Sequence, residues 1–145
     1  MLAADVPDGP LLLDTDVFSW LVWQRANWQA FADLVDGHPF VLSFAVVGEL
    51  RAGAVKAQWS AARRELLNRR IAECVVLTAD DVVVTAYAEL HARFRDNLRK
   101  DGANDMWTAA CALAHDPALP IVTNNLNDFE LMAASFPLRL VHPDR

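Results

Sequence analysis

The chain has 145 residues, 54% of them hydrophobic, with a formal net charge of −6 and a pI near 5.0. That length and composition describe one globular domain with a sizeable core and exclude a disordered chain. The acidic balance excludes a protein that coats DNA through a broad basic surface, and local basic groups such as Arg63-Arg64, Arg69-Arg70 and Arg93, Arg95, Arg99, Lys100 read as solvated helix faces.

Residues 1–10, with Pro7, Gly9 and Pro10, read as a loose leader before a domain spanning 11–145. They carry Asp5 and Asp8 and no basic segment, so they are not a secretory signal. Leu11–Thr15 is a continuous apolar run of strand length, as in a strand buried on both faces of a parallel sheet. Helices are expected over Val17–Trp23 and Asn27–Val35, and a second strand over Phe40–Ser43 after the Gly37-His38-Pro39 break. A helix follows from Ala45 to about Gln58, then an amphipathic one over Trp59–Ile71. Cys74–Leu77 is the third strand. Thr78 is expected to cap a long helix with Asp80 and Asp81 in its first turn, running through Val83, Tyr87, Leu90, Phe94 and Leu98 to an Arg99-Lys100-Gly102 terminus. Asn104 or Asp105 opens the next helix. Pro120–Thr123 is the fourth strand, Asn127–Ala133 a short helix and Leu138–Val141 a closing strand. Strands alternating with helices give an α/β domain with a mainly parallel central sheet of four to five strands.

Acidic residues recur at the ends of these apolar runs: Asp14 and Asp16 in LLLDTD, Glu49 in LSFAVVGEL, Asp105 in NDMWTAA, and Asn125 with Asp128 in IVTNNLNDF. A carboxylate beside a buried run is costly without a partner, and several in one small domain point to a shared cation. Glu49 and Asp105 lie on helix faces of small residues, which pack close to a sheet. In parallel α/β sheets a site forms outside the carboxyl ends of the strands, at a switch point, where Asp14, Asp16, Asn125 and Asp128 fall. Plainer readings stand beside these. Asp16 caps the first helix, Asp128 caps the short one, and Asp80 and Asp81 are first-turn acids. His38, His91, His115 and His142 lack ligand spacing. Trp20, Trp23 and Trp28 are core or partner-surface residues. Cys74 and Cys111 lack Cys-x-x-Cys spacing and read as buried free thiols, and no uncharged stretch reaches membrane-spanning length, so a soluble cytoplasmic protein is expected.

The ordered set of stations resembles the PIN-domain family, and within it VapC-type toxin ribonucleases, from about Leu11 to Val141. The matching residues are Leu11–Asp16, Ser43 with Glu49-Leu50, Asn104-Asp105 with Ala109-Ala110, and Ile121–Thr123 with Asn125 and Asp128-Phe129. The resemblance implies a three-layer α/β/α sandwich. It implies that Asp14, Glu49 and Asp105 hold Mg²⁺ or Mn²⁺, that Asp128 adds a catalytic carboxylate, and that Asp16, Thr123 (or Thr15) and Asn125 position ligands or water. The activity implied is hydrolysis of RNA phosphodiesters, in transfer or ribosomal RNA, as the toxin of a type II toxin–antitoxin system. Implied partners are a second copy, met through helices of the N-terminal half, and a cognate antitoxin that lies across the acidic groove and carries the contact with operator DNA. The chain departs from the family pattern at Asn125, where the strongest members have Asp, which bears on occupancy by a second metal.

Two other functions compete. Asp14-x-Asp16 after an apolar strand, with Ser43 after the next, also fits a haloacid-dehalogenase-like phosphatase with Asp14 as nucleophile and Asp16 as general acid. That reading leaves Glu49, Asp105 and the Thr123–Phe129 run without a role, and neither Lys56 nor Lys100 stands where such an enzyme needs a lysine. A PIN-like module that binds a partner without cutting is the other alternative.

Overall fold

A computed structural model describes residues 1–98 and 102–145. The elements run β1 (Leu11–Leu13), α1 (Thr15–Trp23), α2 (Trp28–Val35), β2 (Phe40–Ser43), α3 (Phe44–Lys56), α4 (Ala61–Ala72), β3 (Val75–Leu77), α5 (Asp81–Phe94), α6 (Gly102–Leu113), β4 (Pro120–Val122), α7 (Leu126–Ala133) and β5 (Arg139–Val141). The five strands form one sheet in the order β3-β2-β1-β4-β5, with every neighbouring pair parallel. The order reverses between β1 and β4, which places the switch point at their carboxyl ends.

Strand alternation divides the core into two layers. Leu11, Leu13, Leu42 and Val122 face α1 to α4, whereas Leu12, Val41, Ile121 and Leu140 face α5 to α7. Leu11, Leu12 and Leu13 have no exposed surface, which is why β1 reads as an unbroken apolar run. The expected three-layer α/β sandwich is the architecture found. β3 is an edge strand with Val75 62% exposed, so its apolar sequence does not mark a central strand.

Several expectations are corrected. β1 stops at Leu13 and Thr15 is already helical. The α5 cap is Asp80, whose Oδ1 accepts from the Val83 amide at 2.9 Å, rather than Thr78. That helix closes at Phe94, and Gly102 opens α6 instead of ending α5. A β-carbon at Gly102 would stand 2.6 Å from the Leu98 Cβ, so the close approach of the two segments requires glycine there. The expected Arg99-Lys100 terminus lies outside the described residues. Asp14 occupies the N-cap of α1 in place of Asp16, and the N-cap of α7 is Asn125 rather than Asp128.

Residues 1–10 touch the domain at Val6 and Met1. Val6 is buried in the α1–α4 layer, and the Met1 ammonium donates to the Pro143 carbonyl at 2.9 Å. Trp20, Trp23 and Trp28, read as core or partner-surface residues, are half-buried: Trp20 meets Phe31 edge-on, and Trp23 meets Trp59 with the Arg63 guanidinium over both rings. Among the described residues no helix is long and apolar enough to cross a membrane.

Candidate active site

The chain leaves β1 at Asp14 in an extended conformation (φ −74°, ψ 163°) that turns the backbone into α1. The Asp14 amide donates to the Val122 carbonyl at 2.9 Å, which continues the β1–β4 ladder one step past the strand. The two carboxylate oxygens are then held separately: Oδ1 accepts from the Thr15 amide at 2.8 Å and Oδ2 from the Thr123 hydroxyl at 2.9 Å. Burial nonetheless dominates and raises the Asp14 pKa above its ordinary value; the Thr15 and Thr123 hydrogen bonds oppose the rise and the charge of Asp16 adds to it.

Thr123 carries a second bond. Its Oγ1 accepts from the Asn125 amide at 2.9 Å, so one hydroxyl fixes both the β1 acid and the turn after β4. Asn125 in turn donates from Nδ2 to Asp105 Oδ2 at 3.0 Å and to Asp128 Oδ2 at 3.1 Å. Both amide protons are thereby used on carboxylates. From the other side, Thr15 Oγ1 donates to Glu49 Oε1 at 3.0 Å, tying α3 to the start of α1. Asp14, Asp105 and Asp128 are each buried and Glu49 is half-buried.

Asp105 shows the electrostatic result. Its pKa is pushed up to about 8, first by burial and then by the charges of Asp14, Asp128 and Glu49, against one lowering contact from Asn125. Those three charges show that the acids at the end of β1 and on α3, α6 and α7 lie within one field. Asp14, Asp105 and Asp128 take part in none of the ion pairs among the described residues, which are Arg70–Glu73, Arg95–Asp96 and Arg145–Glu130. Negative charge therefore accumulates without a side-chain cation to balance it at these three.

The oxygen donors brought together are the carboxylates of Asp14, Glu49, Asp105 and Asp128 and the amide of Asn125. All are hard ligands, of the kind Mg²⁺ and Mn²⁺ take. Among the described residues no three His, Cys, Asp or Glu side chains stand close enough together, as placed, to hold a metal ion. Thr15, Thr123 and Asn125 each hold one or more of these carboxylates by a hydrogen bond and leave further lone pairs open. Asp16 does not join the set. It is exposed in the first turn of α1 and reaches the site only through its charge on Asp14.

Thr108 was not singled out in the sequence. Its Oγ1 lies 2.9 Å from Ser43 Oγ, which also accepts from the Val46 amide at 3.2 Å. This buried pair fixes α6 against the end of β2 and so sets the height of Asp105. A threonine three residues after Asp105, on the same small-residue face, was the available signal. Thr123→Val, which keeps the shape, should cost about 1–3 kcal/mol, because it strips a bond from Asp14 and leaves the Asn125 amide without its acceptor. Urea denaturation in EDTA measures it, and an unchanged midpoint would show that the hydroxyl is not a structural tie.

The comparisons agree with this geometry. A PIN-domain family model matches residues 11–134. Ribonuclease VapC4 of Mycobacterium tuberculosis is 33% identical over 123 residues, spanning 83% of this chain and 89% of that protein. Among solved structures, VapBC2 from Rickettsia felis, bound to a promoter DNA fragment, superposes with a TM-score of 0.70 at 19% identity, covering 91% of this chain and 97% of that one. FitAcB from Neisseria gonorrhoeae gives 0.69 at 23% identity, covering 93% and 99%. Strand order, the acids at its switch point and the match over most of the chain converge: this protein belongs to the PIN-domain family and is of the VapC type.

Proposed function

We propose that the chain is a divalent-metal-dependent endoribonuclease, the toxin of a type II toxin–antitoxin pair. The observation that carries this reading is the convergence of four carboxylates at the switch point, with Asp105 pushed up to about 8 by its neighbours. The relative named a ribonuclease supports the activity. In the reading, Asp14, Glu49 and Asp105 hold Mg²⁺ or Mn²⁺, and Asp128 supplies a further carboxylate through the Asn125 bridge. What such an ion supplies when bound is Lewis acidity toward water and phosphate oxygen.

The chain's own residues prepare the site. Thr15 and Thr123 hold Asp14 in one rotamer, so little reorganisation is left for ligand binding. With its pKa pushed up to about 8, Asp105 holds a proton near neutrality. A ligand carboxyl must be deprotonated, so Asp105 would have to give up this proton to hold a cation, and affinity should rise with pH up to about 8. Asn125 holds Asp105 and Asp128 apart without adding charge.

The structural neighbours crystallised as toxin–antitoxin complexes support an antitoxin partner for this chain, and the promoter DNA in one of them supports contact with DNA through that partner. A homodimer belongs to the same reading. The phosphatase alternative leaves Glu49, Asp105 and Asp128 without a role, and the relative named a ribonuclease weighs against it.

The test is incubation of structured cellular RNA with the purified protein in Mg²⁺, Mn²⁺ or EDTA, with ends mapped by sequencing. Metal-dependent cuts at defined positions are expected, and Asp14→Asn and Glu49→Gln should each lower the rate by about 100-fold or more. A folded, antitoxin-free protein that cuts nothing under either ion would move the reading to a binding module.

A further inference from the structure

Between Leu50 and Ala72 the chain carries Arg51, Lys56, Arg63, Arg64, Arg69 and Arg70 against a single acid, Glu65. In a molecule of net charge −6, this concentration of cations on α3 and α4 has no role in the acid cluster. Its placement also works against the helix. Arg63 and Arg64 stand at the start of α4, where the helix dipole disfavours positive charge and no acid is present in the first turn.

Two of these arginines line one cleft of about 190 Å³ between α3 and α4, together with Ala54, Val55, Leu67 and Asn68. Ala54 and Leu67 are buried and form its floor, whereas Arg51, Val55, Arg64 and Asn68 are exposed. Glu65 does not line it. Glu49 faces Thr15 while Arg51, two residues on, faces α4, so the body of α3 separates the cleft from the acids.

Both guanidinium groups are held by one edge. Arg51 Nε donates to Asn68 Oδ1 at 3.3 Å, and Arg64 Nε donates to the Trp59 carbonyl at 3.1 Å. Trp59 is itself fixed. Its amide donates to the Ala54 carbonyl at 3.0 Å, its ring lies under the Arg63 guanidinium at 3.9 Å, and it meets Trp23 edge-on at 5.2 Å. Neither Arg51 nor Arg64 takes part in an ion pair among the described residues, and their Nη groups, like Asn68 Nδ2, donate to no protein acceptor there. A fork anchored through Nε presents its terminal nitrogens in a fixed plane, an arrangement that binds an oxyanion with little loss of freedom.

We propose that this cleft is an oxyanion site that takes a phosphate group, with the Nη atoms of Arg51 and Arg64 and the Nδ2 of Asn68 as donors. A carboxylate is planar and is saturated by one guanidinium fork, whereas the tetrahedral oxygens of a phosphate can meet two. The carbon side of a phosphate ester would lie against Val55 and the Ala54–Leu67 floor. Two sources share this chemistry: a phosphodiester within a bound polynucleotide, and a free phosphate or pyrophosphate. The site needs neither the acids nor a metal ion, so it stands apart from the ribonuclease reading. Only the polynucleotide source, as a hold on RNA away from the cut, would deepen that reading.

The experiment is nuclear magnetic resonance of the isotope-labelled protein in EDTA, following the arginine Nε–H and asparagine side-chain amide signals. The titrants are sodium phosphate, sodium pyrophosphate and a short RNA, each compared with sodium chloride at equal ionic strength. Saturable shifts of the Arg51, Arg64 and Asn68 signals are expected, beyond those that chloride produces. Arg64→Gln should weaken binding by about tenfold, and Arg64→Lys should not restore it, because an ammonium lacks the fork. Arg69→Gln removes the same charge from the same helix outside the cleft and should change affinity by less than about twofold. Arg64 and Arg69 are exposed, so the variants are expected to fold, and a thermal melt checks this. Binding of phosphate or pyrophosphate, with RNA affinity untouched by Arg64→Gln, assigns the site to a small phosphate. RNA affinity lowered about tenfold by Arg64→Gln assigns it to a polynucleotide. Signals that move no more with any phosphate than with chloride would overturn the proposal. Equal losses from Arg64→Gln and Arg69→Gln would also overturn it, since they describe a diffuse field. A poly-glutamate peptide that shifts the same signals more strongly than any phosphate would do so too, and would give the cleft to an acidic protein partner. A chain that cuts no RNA can pass this test and a nuclease can fail it, so the two readings fall separately.

Discussion

Asp105→Asn should be more stable than the wild-type chain when both are melted in EDTA near pH 8. The Asp105 carboxyl titrates near its ordinary 3.8 in the unfolded chain and at about 8 when folded. Between those values the folded state binds the extra proton, so stability falls as pH rises and levels off above about 8. Asparagine removes the group that must lose this proton and still accepts from Asn125. The expected gain is on the order of 2 kcal/mol at pH 8, about 5 °C in Tm, shrinking toward nothing near pH 4. Millimolar Mg²⁺ should invert the order, since the wild type gains stability by binding the ion and the variant lacks a ligand. Thermal melts at several pH values with and without Mg²⁺ measure both effects. A variant that melts below the wild type in EDTA at pH 8 would contradict the electrostatic account of the cluster.

Asn125→Asp should do the opposite. Its Nδ2 supplies both of the donor contacts that separate Asp105 from Asp128. A carboxylate in its place sets an oxygen against two others about 3 Å away and removes both donors. Loss of those bonds and the added repulsion should cost on the order of 2 kcal/mol or more in EDTA. The same substitution adds a charged oxygen ligand, so Mn²⁺ affinity should rise by about tenfold. Chemical denaturation in EDTA and calorimetric titration with Mn²⁺ read the two changes on one protein. Unaltered stability in EDTA would mean that the amide bridge carries no weight.

Both expectations turn on Asn125, which the sequence presented as a departure from the family pattern. Its amide chemistry was legible, but its role as a bridge was not, because that role depends on α6 and the β4–α7 turn meeting at one point. The acids themselves were easier to read. Each follows a buried run or lies on a small-residue helix face, and burial of a charge is informative wherever in the chain it occurs. Helix ends were read less well. The apolar spacing of α5 continues to Leu98, so periodicity alone extends the helix, yet α5 closes at Phe94 and Leu98 lies against Gly102. Thr78 and Asp80 are both good caps, and the choice was decided by where the chain leaves the edge strand. The exposure of β3 was hidden for the same reason: Val75 and Val76 are apolar, and an edge is a property of strand order.

The strand order also sets when the site can exist during synthesis. β4 pairs directly with β1, and the residues at their ends are 109 positions apart between Thr123 and Asp14. A chain emerging from the ribosome can pair β1 with β2 and β2 with β3 while Asp105, Asn125 and Asp128 are still unmade or inside the exit tunnel. Asp14 and Glu49 then stand without their counterparts. The acid cluster is not complete until β4 and the turn after it are added beside β1.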